Sequence, residues 1–238
     1  MLHLIKRPFL GLYRHPIARR VFRFTAKACL IFALVTALWV SLYRFVNPPI
    51  TSLMVMEYFR VEKLDKSWRR LDQISPNLMR AAIAAEDQFF CLHNGFNLRE
   101  IRAAFLDKTR RRGGSSITQQ TAKNVFLWPD ASWLRKGVEV GFTVYIELFW
   151  PKTRTLEVYL NVAEFGVGVF GAEAAAQYYF GKPAANLSTD QAARLAAVLP
   201  SPRRWSPGSI NAKRLKQIRN DMRYLETIDH YACLPEKE

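Results

Sequence analysis

The chain has 238 residues, half of them hydrophobic, and a formal net charge of +15. That length holds one sizeable domain plus an appendage, and that apolar content excludes wholesale disorder. A balance so basic points to a polyanionic partner: nucleic acid, anionic lipid or a phosphate-bearing substrate.

The position of the charge separates these partners. Residues 1–27 carry Lys6, Arg7, Arg14, Arg19, Arg20, Arg23 and Lys27 with no acid, and the remainder still holds 28 bases against 20 acids. Ala28–Tyr43 follows without a charge. Because the Arg44 stem can snorkel to the interface, the apolar span extends to Val46, near the roughly 20 residues a bilayer crossing needs. A buried core helix and a cleaved signal peptide are the alternatives. The run leads into Tyr43-Arg44-Phe45-Val46-Asn47-Pro48-Pro49 rather than a small-x-small cleavage site, which favours an uncleaved anchor. The positive-inside rule then puts residues 1–27 in the cytoplasm and everything after Asn47 across the membrane. This topology argues against nucleic acid and leaves anionic lipid and lipid phosphate. Of three cysteines, Cys29 falls in the span; only Cys91 and Cys233 could meet, no framework is evident, and both are read as unpaired.

Residues 47–74 read as a juxtamembrane connector that grazes the lipid surface. Ser75-Pro76 is then an N-cap with proline at the first helical position, opening a helix that ends near Glu86-Asp87. Ser115 or Ser116 caps a second helix through about Val125, and Ser132 a third through Phe149, stopped by Pro151. A short helix over Thr153–Asn161 precedes Gly166, Gly168 and Gly171, Ala172–Tyr179 is helical in composition, and Ser188 with Gln191 forms a capping box for a helix ended by Pro200. No sustained period-2 alternation occurs, so residues 75–207 read as a mainly helical core. Residues 208–238 form a charged tail with little functional signal.

No H-E-x-x-H, C-x-x-C or G-x-S-x-G occurs, so zinc hydrolase, thiol redox and serine esterase chemistries lack support. Carboxylates, amides and bases remain. Ser116, Gln119, Gln120 and Lys123 recur at i, i+3, i+4 and i+7, a polar stripe at a helix start where amides and the macrodipole favour an anion such as pyrophosphate. An ordinary solvated helix face shows the same spacing. Glu86, at a helix C-terminus, sits where the dipole raises a carboxylate pKa and so suits a general base, although surface acids also end helices. Glu139 shares a face with Arg135 and Lys136, which keep it ionised if buried; an ion-paired surface helix is the plainer alternative.

Taken together these segments resemble a known family. Glu86–Phe96 (E-D-Q-F-F-C-L-H-N-G-F) is similar to the E-D-x-x-F-x-x-H-x-G signature of the family 51 peptidoglycan glycosyltransferases. Gly113–Asn124 resembles its G-G-S-T-I-T-Q-Q-x-x-K-N, Arg135–Glu139 its R-K-x-x-E, and Leu156–Asn161 its I-L-E-x-Y-L-N. The resemblance implies a lysozyme-like, two-lobed helical domain behind an N-terminal transmembrane helix, with lipid II as substrate. It implies that Glu86 deprotonates the acceptor 4-hydroxyl, that Glu139 assists departure of undecaprenyl pyrophosphate, directly or through a divalent cation (magnesium or manganese), and that no other cofactor is needed. Ser115, Gln120, Lys123 and Arg135 would hold phosphates, with Ser116, Gln119, Asn124 and Lys136 beside them, while Asp87, Phe90 and His93 shape the surroundings of Glu86. Absence of S-x-x-K, and an end where bifunctional relatives continue, resembles the monofunctional members and leaves transpeptidation to a separate partner.

Ser116 stands for the usual threonine, Asn97 for an aspartate, and Ala131 where relatives commonly carry a phosphate-binding arginine, so Lys136 or an arginine of 110–112 is expected to compensate. A muramidase shares the two-carboxylate chemistry but has no pyrophosphate to bind. A catalytically silent membrane scaffold would have no use for Glu86 and Glu139.

Overall fold

The computed structural model of the chain describes residues 16–100, 102, 114–130 and 132–235. Ala131 and the arginines of 110–112 lie outside these residues.

Helix α1 (Pro16–Tyr43) takes Arg19, Arg20, Arg23 and Lys27 into the same helix as the apolar run. Its 28 residues span about 42 Å at 1.5 Å per residue, and it is long and apolar enough to cross a membrane. Its C-terminal end is docked on protein. Trp39 packs edge-on against Phe126 (5.1 Å between ring centroids) and Phe142 (6.0 Å), Tyr43 stacks on Phe126, and Trp150 Nε1 donates to the Val40 carbonyl at 2.8 Å. Arg154 donates to the Tyr43 and Val46 carbonyls, satisfying acceptors that a helix end leaves open.

The connector is ordered protein. Thr51 caps α2 (Ser52–Val61) by accepting from Met54 N, the helix buries Met54 and Glu57, and Ser52 Oγ donates to the Leu127 carbonyl. The buried Glu57 is neutralised by Arg60 and by Arg203 at 2.8 Å, the charge pairing that makes such burial tolerable.

Two buried clusters form the lobes. One gathers α3 (Pro76–Glu86), α7 (Ala172–Phe180), α8 (Thr189–Val198) and α9 (Ala212–Thr227); the other gathers α4 (Ile117–Phe126), α5 (Trp133–Phe149) and the ends of α1 and α2. Helix α6 (Lys152–Val162) is the wall between them. It sends Leu156, Tyr159 and Leu160 into the first cluster and Val158 and Val162 into the second, so its later turns are buried on both sides. Asn161 on α6 accepts from Arg69 N and donates to Arg69 O, both at 2.8 Å, and Glu157 accepts from Leu71 N, tying the connector to this wall.

Three short strands, β1 (Asp65–Lys66), β2 (Glu164–Gly166) and β3 (Val169–Phe170), form a sheet in the order β1-β3-β2, with β1 parallel and β2 antiparallel to β3. Strands of two or three residues cannot display a period of two, which is why alternation does not announce them. Gly171 (φ +88°) follows, where a Cβ would stand 2.8 Å from the Asn161 carbonyl; only glycine fits this crossing.

Two expectations are corrected here. The segment beyond residue 207 is no featureless tail: Asn211 caps α9, whose Leu215, Ile218, Met222 and Leu225 recur at helical spacing and are buried against α3 and α8. Nor are Cys91 and Cys233 unpaired. They form a disulfide with Cα atoms 5.3 Å apart, across 142 residues that spacing alone could not connect.

Candidate active site

A cavity of about 500 Å³ opens between the end of α3, the start of α4 and one face of α9; its wall includes Glu86, Ser115, Gln120, Lys123, Trp205 and Arg214. Each wall residue is placed by local chemistry. Ser75 caps α3 by accepting from Asn77 N, Pro76 supplies the first turn, and the eleven-residue helix delivers Glu86 as its last residue. Ser116 caps α4 in a reciprocal capping box with Gln119, Ser116 Oγ also donates to the Gly95 carbonyl at 2.5 Å, and the next turn presents Gln120 and Lys123.

Glu86 is the centre of the cavity chemistry. Gln120 Nε2 donates to Glu86 Oε2 at 2.9 Å, and Tyr159 Oη donates to Gln120 Oε1 at 3.2 Å, so the buried phenol fixes which end of the amide faces the acid. The other oxygen, Glu86 Oε1, is buried with no hydrogen-bond partner among the described residues. Burial raises the Glu86 pKa above the usual carboxylate range; the Gln120 hydrogen bond and the Arg214 and Lys123 charges oppose this, and Asp87 adds to it. The direction expected from the helix end holds, but desolvation is its leading cause.

Asp87 is turned away from this role. Its Oδ2 accepts from Ile117 N at 3.0 Å, and His93 Nε2 lies 2.9 Å from Oδ1, so Asp87 pins the start of α4 to the loop after α3. Phe90 is fully buried under the Lys152 ammonium, 4.8 Å from its ring centroid. Gly95 (φ +83°) brings the loop against α5, where a Cβ would meet Glu147 Cγ at 2.7 Å.

The polar stripe of α4 divides in two. Ser116, Gln120 and Lys123 line the cavity, with the Ser116 hydroxyl already engaged in the capping box, whereas Gln119 and Asn124 are buried away from it. The amides of Ile117 and Gln119 are already bonded to Asp87 and Ser116, so the open helix N-terminus expected to attract an anion is largely satisfied from within. Cations take its place. Burial lowers the Lys123 pKa, against the pull of Glu139 and Glu86, while Arg135 and Lys136 add to the lowering. An arriving anion raises such a pKa and locks the charge on.

Glu139, 2% exposed, is not among the residues lining the cavity; Arg135 Nη1 donates to it at 2.6 Å and Lys136 Nζ binds its other oxygen. Lys123 feels both carboxylates and thus lies electrostatically between them. Arg135 Nε is buried with no partner among the described residues, a donor still open.

A family model described as transglycosylase matches residues 53–226. A biosynthetic peptidoglycan transglycosylase of Caulobacter vibrioides is 54% identical over 185 residues, covering 75% of this chain and 81% of its own. The chain belongs to the transglycosylase family. Further members with the same description, from Rhodospirillum centenum (52% over 195 residues; 80% and 84% coverage) and Xanthomonas oryzae pv. oryzae (49% over 223 residues; 88% and 91%), resemble it as fully. It is therefore a glycosyltransferase with the lysozyme-like helical fold of peptidoglycan transglycosylases. The match extends past residues 75–207 on both sides, as the packing of α2 and α9 requires.

Two residues of this transglycosylase site escape a reading by motif. Tyr159 lies within the Leu156–Asn161 match, but its hold on Gln120 appears only when α6 is laid behind α4. Arg214 sits in the stretch set aside as tail; the amphipathic spacing Leu215, Ile218, Met222, Leu225 could have revealed its helix, though not its approach to Glu86.

Proposed function

We propose that this transglycosylase polymerises lipid II into glycan strands by inverting transfer, releasing undecaprenyl pyrophosphate, with Glu86 as the base. The observation that carries the reading is the Glu86 carboxylate: one oxygen held by Gln120, the other buried and unpartnered among the described residues, at the wall of a cavity that Lys123 and Arg214 also line. The acceptor 4-hydroxyl gives its proton to Oε1 as its oxygen attacks the donor anomeric carbon, and the bond to the diphosphate oxygen breaks. Lys123 and Arg135 receive the charge that develops on the leaving diphosphate. Glu139 acts by holding Arg135 and Lys136 in place, because a carboxylate cannot itself stabilise an anion.

Among the described residues no three His, Cys, Asp or Glu side chains stand together to hold a metal by themselves, and Glu139 is already paired with Arg135 and Lys136. No step here runs through one.

Helix α1 anchors the enzyme in the inner membrane with its basic start in the cytoplasm and the catalytic lobes in the periplasm. The lipid face is supported by exposed Trp133 and Leu134 on α5, which line an apolar groove together with Phe32 and Ala33 of α1. Transpeptidation is left to a separate protein. The test is analysis of the product from purified lipid II: a lengthening glycan of inverted linkage, with undecaprenyl pyrophosphate released one for one, supports the reading. Cleavage of preformed glycan without polymer growth would instead mark a muramidase.

A further inference from the structure

The last turn of α9 and the segment following it fold back as a strap over the loop that follows Glu86. Its contacts fall one after another on that loop and on α3. Arg80 on α3 pairs with Glu226 at 2.9 Å, Tyr231 Oη donates to the Arg80 carbonyl at 3.2 Å, His230 Nδ1 donates to the Gln88 carbonyl at 3.0 Å, and the His230 ring lies 5.1 Å from Phe89. The Cys91–Cys233 disulfide closes the series. Gln88 and Phe89 line the cavity, and so do Arg214, Gln217, Ile218 and Asp221 of α9. Strap and loop are therefore the two ends of one wall, joined covalently five residues after Glu86.

We propose that the Cys91–Cys233 disulfide is a positioning clasp: it fixes the loop after Glu86 against α9, and the enzyme reaches full activity only when that bond is made. This inference rests on the reading of Glu86 as the base. Making the bond removes two protons and two electrons from the thiols, and a dithiol–disulfide oxidoreductase accepts them as its own disulfide becomes a dithiol. Such exchange belongs to an oxidising compartment, so the clasp also ties activity to arrival outside the cytoplasm. Without it, non-covalent contacts alone hold the strap, water gains access to Glu86, and the base loses its fixed relation to the acceptor.

The groups facing Glu86 are Gln120 and Lys123 from α4, Arg214 from α9, Tyr159 from α6 and its neighbour Asp87. Opening the strap hydrates Glu86 and thereby weakens the largest cause of its raised pKa. The acid limb of the pH–rate profile accordingly moves to lower pH in the reduced enzyme, which a purely structural bond would leave in place.

The experiment takes the full-length enzyme in detergent, oxidised, reduced with dithiothreitol, and as the Cys91→Ser/Cys233→Ser pair. Alkylation and mass measurement count free thiols, hydrogen exchange follows residues 86–93, and circular dichroism checks the fold. The expected result is one reactive thiol (Cys29) before reduction and three after, faster exchange over 86–93 with the helices intact, and turnover lower by about ten- to a hundredfold. Reoxidation restores activity in the wild type and not in the double variant. Three reactive thiols in enzyme secreted through an oxidising compartment, or unchanged exchange over 86–93 after reduction, overturns the clasp. Unchanged turnover and acid limb in a reduced, loosened enzyme overturns its catalytic part. If no redox state polymerises lipid II while thiol count and exchange behave as stated, the failure lies with the proposed activity and not with the clasp.

Discussion

Glu86 is costly to the fold, and this gives a test that does not depend on substrate. Its folded pKa is raised, chiefly by burial, so the native chain binds the proton more tightly than the unfolded one. Stability must then fall as pH rises from the ordinary glutamate value of about 4.3 through the raised folded value, and stay lowered above it. Glu86→Gln removes the charge, so its melting temperature should exceed that of wild type by roughly 2–4 °C for each kcal/mol recovered at neutral pH. Below about pH 4 the two should converge, because wild type is then protonated in both states. Equal melting at neutral pH would mean that the acid is hydrated rather than buried. At this scale Glu86, Gln120 and Lys123, which the motifs single out, line one cavity. The motifs could not show that Ser116 and Gln119 are spent on each other, because capping and ligand binding ask for the same residue types at a helix start.

Among the elements, α4 carries the clearest mutational consequence. Ser116 accepts from Gln119 N and donates to the Gly95 carbonyl, so it caps the helix and holds the preceding loop. Ser116→Ala should cost about 1–2 kcal/mol in denaturant unfolding, with Gln120 and Lys123 displaced and activity reduced. A loss near zero would show that water replaces the cap. The helices were legible because proline, serine caps and Gln191 mark their ends with local chemistry. The sheet and the disulfide were not: two- and three-residue strands carry no period, and Cys91 and Cys233 meet only because α9 runs back along α3. Helix α9 itself was within reach, since its four buried apolar residues keep helical spacing; its surface charge obscured them.

Across the whole molecule, α1 is a packing element as well as the proposed anchor. The Trp39, Val40 and Tyr43 contacts hold its end rigidly on the α4–α5 lobe, so the cavity should keep a set height above the lipid. A reporter active only outside the cytoplasm, fused after Glu238, should be active; an inactive fusion would reverse the orientation. Everything else in the account converges on one acid in one cavity, and turnover of purified lipid II by wild type and Glu86→Gln, in parallel with their circular dichroism, tests it most directly. The account predicts a folded variant whose polymerisation is slower by about 10²–10⁴-fold, whereas a folded Glu86→Gln enzyme polymerising at the wild-type rate would contradict it.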